Sequence, residues 1–149
     1  MPICLVCGSG RPSILLHKVM ETPPAISVPE GLEFRKSPIH GWGIFAIRDF
    51  PAEYNLGEFI GTPMNHKEFT EKYGRDRRHT YMNSRYWKYR VAKEQRNWIT
   101  YLNDGQHNQS VSKVNVYLKR WCCYTLKPVA AGEEILLAYG RYYRWDLEE

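Results

Sequence analysis

Two short motifs, at either end of residues 97–140, constrain this chain more than any other feature. The first, Asn97-Trp98-x-x-Tyr101-Leu102-Asn103-Asp104, sets two rings three residues apart, so one helical turn buries both and presents Asn103 at its exit. The second, Gly132-Glu133-Glu134-Ile135-Leu136-Leu137-Ala138-Tyr139-Gly140, follows a turn at Ala131-Gly132, runs through a short buried strand and breaks at Tyr139-Gly140. Between them the chain reads as strands: Val114-Asn115-Val116-Tyr117-Leu118, a turn at Lys119-Arg120, then Trp121-Cys122-Cys123-Tyr124-Thr125-Leu126, ended by Lys127-Pro128. A strand-rich middle of this kind brings both ends to one site. Tyr139, closing a buried strand before glycine, either caps the core with its hydroxyl toward water or serves that site.

At 149 residues the chain makes one domain with a sizeable core and no room for a second module. A hydrophobic content of 43%, with 14% aromatic residues and no low-complexity tract, excludes a disordered chain. The net charge of +5 favours an anionic neighbour such as nucleic acid without establishing one. Residues 1–19 lack a basic start followed by an apolar core, and no segment has membrane-spanning length, so the expected setting is intracellular and reducing, nucleus or cytoplasm. In that setting the vicinal Cys122-Cys123 point to opposite faces of a strand, and at least one is a small buried residue.

Residues 1–30 read as an N-terminal extension and residues 31–149 as the folded domain. Cys4-Leu5-Val6-Cys7-Gly8 has the spacing of half a zinc knuckle. Only two ligands are present there; His17 and His40 are candidates to complete a site, and a terminus without metal is the alternative. Pro23, Pro24 and Pro29 make an extended connector. Leu32-Glu33-Phe34 and Ile44-Phe45-Ala46 form a hairpin, and Leu56-Gly57-Glu58-Phe59-Ile60-Gly61 is expected to continue its sheet. Inside the hairpin turn, Ile39-His40-Gly41-Trp42-Gly43 carries two glycines around an aromatic, which lets main-chain groups approach a ligand or simply makes a turn. Asn65 and Glu68 have the spacing of a capping box, opening a short helix to about Tyr73.

A basic, aromatic segment follows over residues 72–96: Lys72, Arg75, Arg77, Arg78, Arg85, Lys88, Arg90, Lys93 and Arg96, interleaved with Tyr73, Tyr81, Tyr86, Trp87 and Tyr89. It suits a phosphate backbone with rings for stacking, or equally a solvated face over half-buried tyrosines. The alternation Trp87-Lys88-Tyr89-Arg90-Val91 places aromatics on one side of a strand and cations on the other. No His/Cys/carboxylate set with catalytic spacing lies near the motifs, which disfavours a zinc-dependent enzyme.

Three blocks in this order resemble the SET domain of protein lysine methyltransferases, with features of its PR-type branch. They are the turn at residues 36–46, the motif Asn97-Trp98-x-x-Tyr101-x-Asn103, and the run from Leu126-Lys127-Pro128 through Gly132-Glu133-Glu134-Ile135 to Tyr139-Gly140. The resemblance implies a mostly β fold of several small sheets, with short helices and a C-terminal pseudoknot. It implies methyl transfer from S-adenosylmethionine to a protein lysine, a histone tail being the expected substrate. His40, Gly41, Trp42, Gly43, Asn103 and Asp104 would then bind the cofactor, Tyr139 would be catalytic, and Phe59, Cys123, Leu137 and Tyr143 would line the lysine channel. Phe59, Cys123 and Leu137 stand where the family often has larger or hydroxylated side chains, which implies tolerance of two or three methyl additions; they also suit a weak or inactive member. Asp104 replaces the histidine usual after the asparagine. No cysteine-rich segment follows Tyr139, leaving Tyr142, Tyr143 and Trp145 to close the pocket. The alternative is a weakly catalytic module that contacts chromatin or nucleic acid through residues 72–96.

Overall fold

The computed structural model describes residues 22–83, 85–107 and 109–140; Cys4, Cys7, His17, Tyr142, Tyr143 and Trp145 lie outside the described residues. Within them the chain forms ten short strands, one α-helix and one 3-10 turn, arranged in four small sheets. Strands β1 (Leu32–Lys36) and β2 (Trp42–Ala46) form the expected antiparallel hairpin. Strand β3 (Asn55–Glu58) does not continue it. It pairs instead with β9 (Cys122–Thr125), which in turn pairs with β8 (Val116–Lys119). The reason is that the outer edge of β2 is already taken: Ala46 N–H donates to Glu133 O and Ile135 N–H to Ile44 O, so the C-terminal segment occupies that edge.

The third sheet has the order β4 (Thr62–Asn65), β6 (Lys88–Val91), β5 (Thr80–Asn83). Helix α1 (His66–Tyr73) follows β4 and opens on the capping box: Asn65 Oδ1 accepts from Glu68 N–H while Glu68 Oε1 accepts from Asn65 N–H. Its one buried side chain, Phe69, stacks on Tyr89 of β6 at 4.3 Å, making a small second core with Val91. Burying such a ring contributes about 2–3 kcal/mol, more than propensity gives a helix this short. Trp87 departs from the strand alternation, since it lies in a turn at φ 52° and is exposed. Trp121 likewise belongs to the β8–β9 turn, with positive φ at both Arg120 and Trp121, because Lys119 pairs directly with Cys122.

The 3-10 turn Trp98–Tyr101 is capped by the Asn97 side chain on Ile99 N–H. Trp98 is buried, and half-buried Tyr101 meets Phe34 edge-on at 5.3 Å. Leaving this turn, β7 (Asn103–Asp104) pairs in parallel with β10 (Leu136–Leu137). The C-terminal segment is thus held between two stretches of chain. On one side Gly105 N–H donates to Leu137 O; on the other, Asn115 N–H donates to Leu136 O. Asn115 is buried and its side chain completes the second edge, donating to Glu134 O and accepting from Leu136 N–H, both at 2.8 Å. This crossing is the C-terminal pseudoknot that the sequence resemblance implied. It also requires glycine at 105, where a Cβ would stand 2.9 Å from Val114 N and 3.0 Å from the Leu136 side chain. No helix among the described residues is long and apolar enough to cross a membrane.

Asn115→Ala deletes both side-chain bonds and strands a buried carbonyl and amide, so it should cost about 2–4 kcal/mol in urea unfolding. A cost under about 0.5 kcal/mol would show that the crossing does not depend on this side chain.

Candidate active site

The hairpin turn is fastened by Ser37. Its N–H donates to Gly41 O at 2.7 Å and its hydroxyl accepts from Ile39 N–H at 2.9 Å, which curls residues 37–41 outward. Gly41 has φ +48°, is exposed, and a Cβ there would meet nothing within 4 Å. Main chain is therefore presented to open space at this point. Gly43 has the opposite need. A Cβ there would overlap the Glu134 carboxylate and lie 3.1 Å from Asn103 Nδ2.

Glu134 is the hub behind the turn. Its Oε1 accepts from Ser37 Oγ at 2.9 Å and its Oε2 from Asn103 Nδ2 at 2.9 Å. The same Asn103 amide also donates to His40 O at 3.0 Å, so one buried side chain ties all three sequence blocks together. Burial raises the Glu134 pKa, and the bonds from Asn103 and Ser37 partly oppose the rise.

Asp104 and Tyr139 form the second half of the site. The buried Asp104 carboxylate accepts from Tyr139 N–H at 2.9 Å through Oδ1, and from His107 N–H through Oδ2. Its side chain thus fixes the backbone of the tyrosine. The Tyr139 hydroxyl donates to Leu102 O at 2.6 Å, so it caps no core toward water and instead stands against a main-chain carbonyl.

A cavity of about 640 Å³ opens between these halves. Of the residues singled out from sequence, His40, Gly41, Trp42, Phe59, Asn103, Leu137 and Tyr139 line it. Gly43 and Asp104 support it from behind. Cys123 is fully buried in the main core and does not line the cavity; burial pushes its thiol up to about 12, so it is an inert packing residue. Tyr143, expected in the channel, lies outside the described residues, as do Cys4 and Cys7. Among the described residues no group of three His, Cys, Asp or Glu side chains is placed to hold a metal ion.

Several lining residues escaped sequence reasoning. Tyr81 packs edge-on against Phe59 at 5.8 Å and bonds to the Trp121 main chain, so a phenol stands beside the position where the chain has phenylalanine. Arg77, Arg78, His79 and Arg96 form another wall. Residues 72–96 accordingly make no continuous outward cationic face. Arg90 is drawn to Glu58 and lies over the Trp121 ring at 4.6 Å, Arg78 bonds Asp76 at 2.9 Å, and Arg96 lies over Tyr101 at 3.9 Å. The one available signal was that aromatics and cations alternate too regularly here for a solvated surface.

Because the folded pKa of Glu134 lies above its ordinary 4.5, protonation at this site favours the fold. That stability is complete below the ordinary value and is lost as pH rises through the raised one. Glu134→Gln, which cannot ionise, should therefore gain Tm relative to the unsubstituted chain as pH is raised from about 4 to about 7. A difference independent of pH would contradict this.

The comparisons with known proteins agree with this geometry. A family model described as the SET domain matches residues 41–140, more than half of the chain. Among solved structures, the methyltransferase domain of human PR domain-containing protein 2 is 22% identical, with 77% of this chain and 80% of that chain covered and a TM-score of 0.55. The Chaetomium thermophilum polycomb repressive complex 2 gives 19% identity and a TM-score of 0.61 over 81% of this chain and 17% of that chain. A structure of ctPRC2 in complex with H3K27me3 and H3K27M gives 20% identity and a TM-score of 0.60 over 76% of this chain and 15% of that one. No curated protein matches by sequence. At these identities the structures establish a shared fold, while the family model spans both motif blocks that build the cavity, and on that ground the chain belongs to the SET-domain family.

Proposed function

We propose that this domain is a protein lysine N-methyltransferase that uses S-adenosylmethionine. The observation that carries the reading is the convergence of Tyr139, whose hydroxyl meets Leu102 O at 2.6 Å, with Asn103, whose amide holds His40 O at 3.0 Å. Those contacts put the exposed glycine turn, a fixed phenol and an apolar wall around one cavity. The residues present fit the cofactor: Gly41 offers main chain facing open space beside the Trp42 ring, and a cavity of about 640 Å³ is of the size that small-molecule sites have. When bound, S-adenosylmethionine supplies an electrophilic methyl group on a sulfonium.

The chain's own residues supply placement and desolvation. Phe59, Val116, Leu118 and Leu137 give the cavity an apolar side that excludes water. A lysine amine entering there is desolvated, which lowers its pKa and favours the neutral, nucleophilic form. Its proton leaves to water before the amine is enclosed. Tyr139 commits its hydroxyl proton to Leu102 O, so its oxygen lone pairs face the reacting groups. Two oxygens fixed in this way orient an amine and stabilise developing positive charge without reorganising.

A histone tail is the substrate class that the ctPRC2 structure brings to this reading, and such a substrate would place the enzyme at chromatin in the nucleus. Residues 142–145 would complete the pocket, and Cys4 with Cys7 would hold a zinc ion only with ligands from elsewhere. The alternative of a non-catalytic module gripping nucleic acid through residues 72–96 has less support. Its Arg78, Arg90 and Arg96 are half-buried and engaged with Asp76, Glu58 and Thr100.

Asn103→Ala should abolish cofactor binding in calorimetric titration, since it frees both the hairpin turn and Glu134. Tyr139→Phe should retain binding and lose about 100-fold in kcat on a lysine peptide, with di- and trimethyl-lysine among the products of the unsubstituted chain by mass spectrometry. Cofactor binding unchanged by Asn103→Ala, or transfer unchanged by Tyr139→Phe, would sink the assignment of those residues. Monomethyl product alone at completion would contradict the open channel.

A further inference from the structure

The cavity has a charged wall that the methyl transfer itself does not use. Arg77, Arg78, His79 and Arg96 line it, and no Asp or Glu does. The nearest carboxylates are committed elsewhere. Asp76 pairs with Arg78 at 2.9 Å and Lys93 at 3.4 Å, Glu58 takes Arg90, and Glu134 faces Ser37 and Asn103 behind the glycine turn. Arg77 directs its guanidinium to neutral groups, Met82 Sδ at 3.1 Å and the Tyr89 hydroxyl at 3.4 Å, which hold it in position and keep its charge.

The resulting field is felt at His79. Its imidazole pKa falls to about 4, first through burial and then through Arg96, Lys93 and Arg78, with Asp76 acting in the opposite direction. This wall is also where a polypeptide would pass. Strand β5 is the outer strand of its sheet, and its residues Thr80, Tyr81 and Met82 line the cavity directly after Arg77, Arg78 and His79. An extended segment lying along that edge would run its alternate side chains past the guanidinium groups.

We propose that the lysine taken by this site lies in an acidic stretch, with Asp or Glu side chains within two or three residues of it that pair with Arg77, Arg78 and Arg96. The inference rests on the methyltransferase reading and narrows its substrate class. Planar guanidinium groups match carboxylates bidentately, whereas a Lys/Arg-rich tail would enter against like charge. A basic histone tail is thereby the less favoured class of substrate.

The test uses the full chain saturated with S-adenosylhomocysteine and two fluorescent peptides, each with one central lysine flanked on both sides by Glu in one peptide and by Arg in the other. By anisotropy at low salt, the Glu-flanked peptide should bind roughly tenfold tighter, with the margin shrinking as salt rises. Arg77→Glu should erase the margin and Arg77→Lys should keep it, which separates charge from the bonds that Arg77 makes to Met82 and Tyr89. Equal binding, tighter binding of the Arg-flanked peptide, or binding of neither overturns the proposal. So does an Arg77→Glu variant that weakens cofactor binding in calorimetry and leaves the peptide ratio unchanged, since the cations would then serve the cofactor carboxylate. Methyl transfer to the same peptides is read separately: a Glu preference in binding without transfer counts against the enzyme reading and leaves the acidic recognition standing.

Discussion

The parallel contact between Asn103–Asp104 and Leu136–Leu137 is only two residues long, yet every part of the cavity depends on it. Two ladder hydrogen bonds contribute about 1 kcal/mol each, too little to offset closing a loop of some thirty residues. Side chains make up the difference. Asn115 bonds both Glu134 O and Leu136 N–H, Asp104 takes the N–H of Tyr139, and Glu134 takes Ser37 and Asn103. Four polar residues thereby lock a crossing that backbone pairing alone would leave loose. Because they are buried or half-buried with every such atom satisfied among the described residues, their bonds act in a low dielectric and hold one geometry.

The consequence for chemistry is that the residues nearest the cavity do little by themselves. Gly41 can face open space because Ser37 closes the turn beneath it; Tyr139 is placed because Asp104 grips its backbone; Asn103 is held from behind by Glu134. A site assembled from three distant stretches needs such internal bracing. It also explains why the acidic residues close to the cavity are turned away from it, leaving arginines on the wall that a substrate would meet.

Much of this was legible in the sequence. The capping box at Asn65 and Glu68, the hairpin around Gly41, the turn that buries Trp98 and the strand that ends at Tyr139 all rest on local rules, and the structure keeps them. What escaped was long-range. Residues 56–58 read as part of the first sheet because nothing local shows that the C-terminal segment already occupies the β2 edge. Glu134 read as a turn residue because its partners are 97 and 31 positions away. Cys123 was expected beside the lysine, but a two-residue turn at Arg120 and Trp121 sets the strand register that buries it in the core. The cations over residues 72–96 looked like one face; their inward partners, Asp76, Glu58 and Tyr101, are fixed only by the tertiary fold.

The central claim, that the glycine turn and the crossing make one cofactor site, is tested most directly by hydrogen–deuterium exchange with and without S-adenosylmethionine. The account predicts slowed exchange together in segments covering residues 39–43 and 102–105 and at 137–140, with none in helix α1. Protection confined to one of the three segments, or none in any of them, would contradict it.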